Sequence, residues 1–172
     1  MIYSLLYKIF EKVRTKALKA KLKAGDTNIL GEVNIWSKDI QCGKNVTIYP
    51  YVTLWGKTIE IGDDTKIGNN TIINAINKIH IGANTAIAAQ CYIIDANHGI
   101  QAGTPIREQA MDVSSDGIFI GDDVWIGAQC VIVKGAYIGN GAVIGANSLV
   151  NSHIPDNAIA FGSPARVHGY RK

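Results

Sequence analysis

Aliphatic residues recur at every sixth position along most of this chain. Ile61, Ile67 and Ile73 form one run, Ile81, Ile87 and Ile93 a second, and Ile120, Ile126, Ile132, Ile138, Ile144 and Val150 a third. A looser run, Ile40, Val46 and Val52, precedes them. A helix would place apolar residues three and four apart, and an alternating strand would place them two apart throughout. Neither template yields a period of six with Gly, Asp, Asn and Ala between. The pattern predicts a solenoid in which each hexapeptide forms one side of a triangular coil, its aliphatic residue pointing inward. Gly or Asn takes the corner, where a positive φ is needed. Three hexapeptides make a coil of about 18 residues, and no coil is stable without its neighbours.

The rhythm breaks at identifiable places. The gaps from Val52 to Ile61 and from Ile73 to Ile81 read as small corner insertions, and the gap from Ile93 to Ile120 as a large one. Residues 2–23 predict a helix: Ile2, Leu5, Leu6, Ile9 and Val13, with Phe10 beside them, make an apolar stripe among lysines. Gly25-Asp26 is its expected stop. Past Val150 the rhythm dissolves, and Ile154-Pro155 and Ser163-Pro164 are expected to end the ladder. The expected organisation is a basic helix over 1–25, a solenoid over 26–155 with a loop at about 96–117, and a tail over 156–172.

Charge changes this picture locally. Residues 1–24 hold seven Lys/Arg against Glu11 alone, a balance of +6, within a chain whose net charge is +3. The body therefore offers no broad nucleic-acid footprint. Cys42, Cys91 and Cys130 are odd in number and lie far apart, which favours reduced thiols over a disulfide framework. No apolar run approaches a membrane span, and the charges at the start follow the apolar part, unlike those of a signal peptide. A soluble, cytoplasmic protein is expected. The helix has two readings: it caps the first coil, or it contacts a membrane surface as a peripheral anchor.

The stretch "IGDDVWIGAQCVIVKGAYIGNGAVIGANSLV" followed by "IPDNAIAFGSPARV" resembles the signature of the hexapeptide-repeat acyltransferases. The likeness is to the galactoside/maltose O-acetyltransferase group and its relatives in capsule and O-antigen synthesis, over roughly residues 28–168. It implies an all-β, left-handed parallel β-helix with an N-terminal α-helix, assembled as a homotrimer with active sites between subunits. It also implies acetyl-CoA as co-substrate, a sugar as acceptor and no metal. The long break then reads as an extruded catalytic loop. In "DANHG" His98 matches the family's catalytic base, and imidazole suits the removal of a proton from a sugar hydroxyl near neutral pH. Asp95 or a backbone carbonyl would hold its tautomer. His80 lies in a repeat, and His153 and His168 lie in the tail; all three read as structural or exposed.

Trp125 matches the tryptophan beside the acetyl end of the CoA channel, although a corner aromatic covering a neighbouring chain is the plainer reading. Ala128 and Ala146 match small residues along the pantetheine arm. Arg166 matches a phosphate-binding arginine, with Arg171 and Lys172 as weaker helpers. Two departures stand out. The family's Thr-Lys is Asn151-Ser152 here, and an acceptor-side aspartate is replaced within Ile73-Asn74-Ala75. Asn74 and Asn97 remain candidates for hydrogen bonds to the sugar. The resemblance implies an O-acetyltransferase of surface-polysaccharide synthesis. N-acylation of an amino sugar and a non-catalytic scaffold are the alternatives. A zinc hydratase on the same solenoid would need three converging histidines, and the spacing of the four present does not supply them.

Overall fold

The computed structural model describes residues 2–22 and 26–172, without the side chains of residues 2–8 and 11. The expected side-chain stripe at Ile2, Leu5 and Leu6, and the stop at Gly25, lie outside the described residues. A helix, α1 (Ile2–Lys21), leads into a parallel β-solenoid with three faces. The first face stacks Asn28–Ile29, Thr47–Ile48, Lys66–Ile67, Ala86–Ile87, Trp125–Ile126, Val143–Ile144 and Ala158–Gly162. The second and third faces share the long strands Val52–Ile61 and Ile72–Ile81, which bend across a corner. The second face continues through Tyr92–Ile94, Val131–Ile132 and Leu149–Val150, and the third through Ile118–Ile120, Tyr137–Ile138 and His153–Ile154.

Register follows the repeat. Ile120, Ile126 and Ile132 pair with Ile138, Ile144 and Val150 one coil on. Hexapeptides bury a second position besides the aliphatic one, two residues earlier; on the third face it is mostly a further isoleucine, Ile59, Ile79 or Ile118, and on the other two it is mostly small. Thr65, Thr71, Thr85, Cys91, Cys130 and Ser148 all lie there. Their polar atoms are satisfied within the wall: Thr65 Oγ1 donates to Gly82 O at 2.8 Å, Thr85 Oγ1 to Gly121 O at 2.9 Å and Ser148 Oγ to Gly145 O at 2.6 Å. A hydroxyl bonded in this way adds to the ladder instead of penalising its burial.

The corners divide two tasks that the sequence reading assigned jointly to Gly and Asn. Positive φ falls on the third residue after the core aliphatic, which is usually not glycine: Asp64, Asn70, Asn84, Gln90, Asp123, Gln129 and Asn147 have φ between 54° and 63°. The glycine directly after the isoleucine serves close approach instead. A Cβ on Gly62 would sit 2.4 Å from Ala83 N, and one on Gly127 would sit 2.5 Å from Ala146 N. Gly62→Ala is therefore expected to cost about 1–3 kcal/mol through overpacking. Asn84→Gly should have a much smaller effect; comparing thermal midpoints of the two variants checks this.

The ladder runs further than its aliphatic rhythm suggests. Ile154 and Ala160 still pair in parallel with Ile138 and Ile144. The solenoid therefore includes 158–162, and only Ala165–Tyr170 turns back antiparallel. Small Ala158 and Ala160 fill the core of this last coil, which is why the periodic signal fades before the structure does. At the other end Leu22 is fully buried and Leu18 packs on the core, so the C-terminal half of α1 caps the first coil. Of the expected stripe, Ile9, Phe10 and Val13 are exposed.

Candidate active site

The long loop leaves the solenoid at the corner between the second and third faces. Its two limbs pair as a short antiparallel ladder, Ala96 with Val113 and Asn97 with Asp112. His98 follows at once and is exposed, as is Asn97. Gly99 lies so close beneath the returning chain that a Cβ there would meet Gln109 Cβ at 2.7 Å. Gln109 fastens the loop internally: its Oε1 accepts from Gln101 N at 2.8 Å, and its Nε2 donates to Gln101 O at 2.9 Å and Thr104 O at 2.7 Å. Asn77 Nδ2 holds the returning limb through Ser114 O and Ser115 O at 3.0 and 2.9 Å. An ion pair from Lys134, one coil on, reaches Asp112. His98 therefore stands on a loop tied to the coils on both sides of it.

Asp95 does not act as expected. It is fully buried, and its carboxylate accepts three backbone N–H groups of the preceding corner, from Ile76 at 2.7 Å, Asn77 at 2.9 Å and Lys78 at 2.8 Å. The physical reason lies in the insertion between Ile73 and Ile81. The extra corner residues turn their amides inward, out of the ladder, and a buried acceptor must satisfy them. Asp95 is thus committed to the corner, and nothing among the described residues hydrogen-bonds the His98 ring. Sequence reasoning missed Asn77 and Gln109; the off-period gap before Ile81 was the signal for the first, and nothing marked the second.

Asn74 lies on the same corner, paired in register with Ile94. It is 8 % exposed, and its buried Oδ1 has no hydrogen-bond partner. The other three histidines are occupied. His80 Nδ1 lies 3.0 Å from Glu60, and its ring begins a row along the third face, stacked through Phe119 and Tyr137 and tilted at His153, with successive centroids 5.0, 4.8 and 5.0 Å apart. His168 stacks on Phe161 at 3.7 Å. Hydrogen bonds from Lys78, and then from His80, hold the Glu60 carboxyl below the usual carboxylate range.

The residues expected to bind the co-substrate are elsewhere on the chain. Trp125 is 58 % exposed on the first face, flanked by Ala86 and Val143. Ala128 and Ala146 stack at the corner between the first and second faces, where Asn147 N donates to Ala128 O at 2.9 Å. Arg166 is exposed on the C-terminal hairpin, opposite Phe161. Within one chain the whole second face separates these residues from His98. Arg171 is not a free cation: its guanidinium donates to Asp123 Oδ2 at 2.8 Å and Gly141 O at 2.9 Å. Lys172 is exposed.

Burial pushes the Cys42 thiol up to about 12. The hydrogen bond between Cys91 and Cys130, together with burial, pushes the Cys91 thiol up, while the same bond lowers Cys130 to about 7; both side chains are buried in the wall. Among the described residues no three His, Cys, Asp or Glu side chains group as metal ligands would.

Residues 117–158 match the bacterial transferase hexapeptide (six repeats) family. Over 164 residues the chain is 35% identical to the Saccharomyces cerevisiae protein named "Putative acetyltransferase YJL218W", covering 91% of this chain and 81% of that one. The chain belongs to the hexapeptide-repeat acetyltransferase family. Other members of this acetyltransferase family extend beyond it. It spans 36% of the "Probable acetyltransferase Rv3034c" of Mycobacterium tuberculosis, at 37% identity over 64% of this chain. It spans 61% of the galactoside O-acetyltransferase of Escherichia coli, at 35% identity over 73% of this chain. Among solved structures, a hexapeptide-repeat acetyltransferase from Vibrio cholerae superimposes with a TM-score of 0.69 at 30% identity, over 93% of this chain and 81% of that one. AntD, an N-acyltransferase from Bacillus cereus solved with dTDP and 3-hydroxybutyryl-CoA, shares the fold. Its TM-score is 0.77 at 23% identity, over 92% of this chain and 88% of that one.

Proposed function

We propose that this chain is an acetyl-CoA-dependent O-acetyltransferase acting on a sugar hydroxyl in surface-polysaccharide synthesis. The observation that carries the reading is His98: among the described residues its ring has no partner, whereas the other three histidine rings do, and it stands at the foot of the braced loop. His98 takes the proton from the acceptor hydroxyl as that oxygen forms its bond to the acetyl carbonyl carbon. The carbon–sulfur bond then breaks, and His98 returns the proton to the departing thiolate. No acyl-cysteine is involved, in keeping with the burial of Cys91 and Cys130.

Asn74 completes the acceptor side: its Oδ1 has no partner to hold it, so the amide is free to turn toward a second hydroxyl of the sugar and accept its hydrogen bond. This corner favours a hydroxyl over an amine. An amino sugar arrives as an ammonium ion and calls for a carboxylate, but Asn74 is neutral and Asp95 is consumed by three amides. Trp125, Ala128, Ala146 and Arg166 form the co-substrate half of the site. Their separation from His98 by an entire face supports a homotrimer in which one subunit supplies the base and its neighbour the CoA groove.

The test is a screen of hydroxyl and amino sugars with acetyl-CoA, reading thiol release and the alkali stability of the product. An alkali-labile ester is expected. A stable amide defeats the O-acyl reading, and absence of acetyl-CoA binding defeats the transferase reading altogether.

A further inference from the structure

We infer that α1 carries a second, outward face built to lie on an anionic lipid surface. Ile9, Phe10 and Val13 are 51%, 63% and 65% exposed, whereas Leu22 of the same chain segment is fully buried. At 100° per residue, Ile9 and Val13 fall on the side of the helix opposite Leu18 and Leu22. The solenoid side is secured separately. Arg14 donates to Val33 O at 3.4 Å and lies 4.0 Å from Glu32, and Lys21 donates to Ile35 O. One face of α1 therefore fixes it to the first coil, and the other points away from the protein.

The border of that outward face is cationic. Lys12, Lys16 and Lys19, with Thr15, line a groove of about 390 Å³ running beside it. None of these three lysines has an acidic partner among the described residues, and residues 1–24 carry +6 while the remaining residues carry −3. An apolar strip edged by lysines lies in the plane of a membrane interface, with the strip among acyl chains and the ammonium groups at headgroup level. Each lysine is drawn by anionic lipid, and the attraction fades within a Debye length. Two copies of α1 meeting along this face would bring like-charged lysine rows together, which disfavours a helix–helix contact. No helix among the described residues is long and apolar enough to cross a membrane, so the contact is peripheral.

Co-sedimentation of the full chain with phosphatidylcholine vesicles, with and without phosphatidylglycerol, tests the inference. Binding to the anionic vesicles is expected to exceed binding to the neutral ones by about tenfold or more and to fall with added salt. Phe10→Ser with Val13→Ser, and separately Lys12→Gln with Lys16→Gln and Lys19→Gln, should each lower it by about tenfold or more. Thermal midpoints should stay unchanged, because these side chains face outward. Equal partition into both vesicle types, or variants that bind like the natural chain, would overturn the inference. It is also overturned if the Phe10/Val13 change lowers the assembly's mass in lipid-free sedimentation velocity, since the face is then an interface between copies. Acetyl transfer to a soluble acceptor should be the same in all variants, so failure here leaves the proposed chemistry standing.

Discussion

Replacing His98 by alanine is expected to lower kcat for acetyl transfer by about 10²- to 10⁴-fold, the usual share of a positioned general base. The side chain is exposed and makes no hydrogen bond among the described residues, so its removal leaves none of their buried groups unpaired. The thermal midpoint should therefore not move. The KM for acetyl-CoA should also change little, because the co-substrate contacts are assigned to Trp125, Ala128, Ala146 and Arg166 and not to His98. Steady-state thiol release and a thermal melt on the same preparation check all three statements. A variant retaining full kcat would remove His98 from the mechanism.

Asp95→Ala should show the opposite profile. Three amides at Ile76, Asn77 and Lys78 lose their acceptor in a buried corner. At about 1–3 kcal/mol for each buried group left unpaired, three such groups sum to about 3–9 kcal/mol, reduced where the corner relaxes. That is a large part of the stability of an ordinary domain. Asp95→Asn keeps one acceptor oxygen and should fall between the two. The informative reading is the pH dependence of kcat in the Asn variant. If Asp95 acted through His98, the profile would change shape; committed to the corner, it should change only the amount of folded enzyme. Denaturant unfolding and a pH–rate profile of Asp95→Asn separate these outcomes.

The period of six was legible because one large side chain per hexapeptide must point inward, and isoleucine fills that place nearly every time. On the first two faces the second buried position was hidden because its occupants are mostly Thr, Cys, Ala and Ser, which look polar or indifferent until their hydrogen bonds within the wall are seen. For the same reason the last coil, filled by Ala158 and Ala160, faded from the pattern. Both Gly62 and Asp64 signal a corner in sequence. Only the stacked backbones reveal that the first is needed for contact and the second for φ. That His98 lies where the loop leaves the ladder was legible from the break in the period. The roles of Asp95 and Arg171 were not, since a carboxylate beside a histidine and a cation near the terminus carry the same letters whether free or committed. Which side of the helix caps the coil was not legible: Arg14, Leu18 and Leu22 do the packing, while Ile9, Phe10 and Val13 of the apolar stripe are exposed.

A stack of parallel coils has no natural last member, because its final coil exposes the same unpaired amides and carbonyls that recruited it. Left bare, the two ends of such a rod match one another and invite growth into a filament. Here the rod is plugged by dissimilar pieces. Leu22 and the end of α1 close the first coil. At the far end Ala165–Tyr170 runs back against Ala158–Gly162 with a register shift at Ile159/Ala160. A strand reversed in direction and bulged offers the wrong hydrogen-bond pattern to another parallel coil. The short C-terminal hairpin thus sets the length of the particle, and it keeps a self-propagating architecture finite.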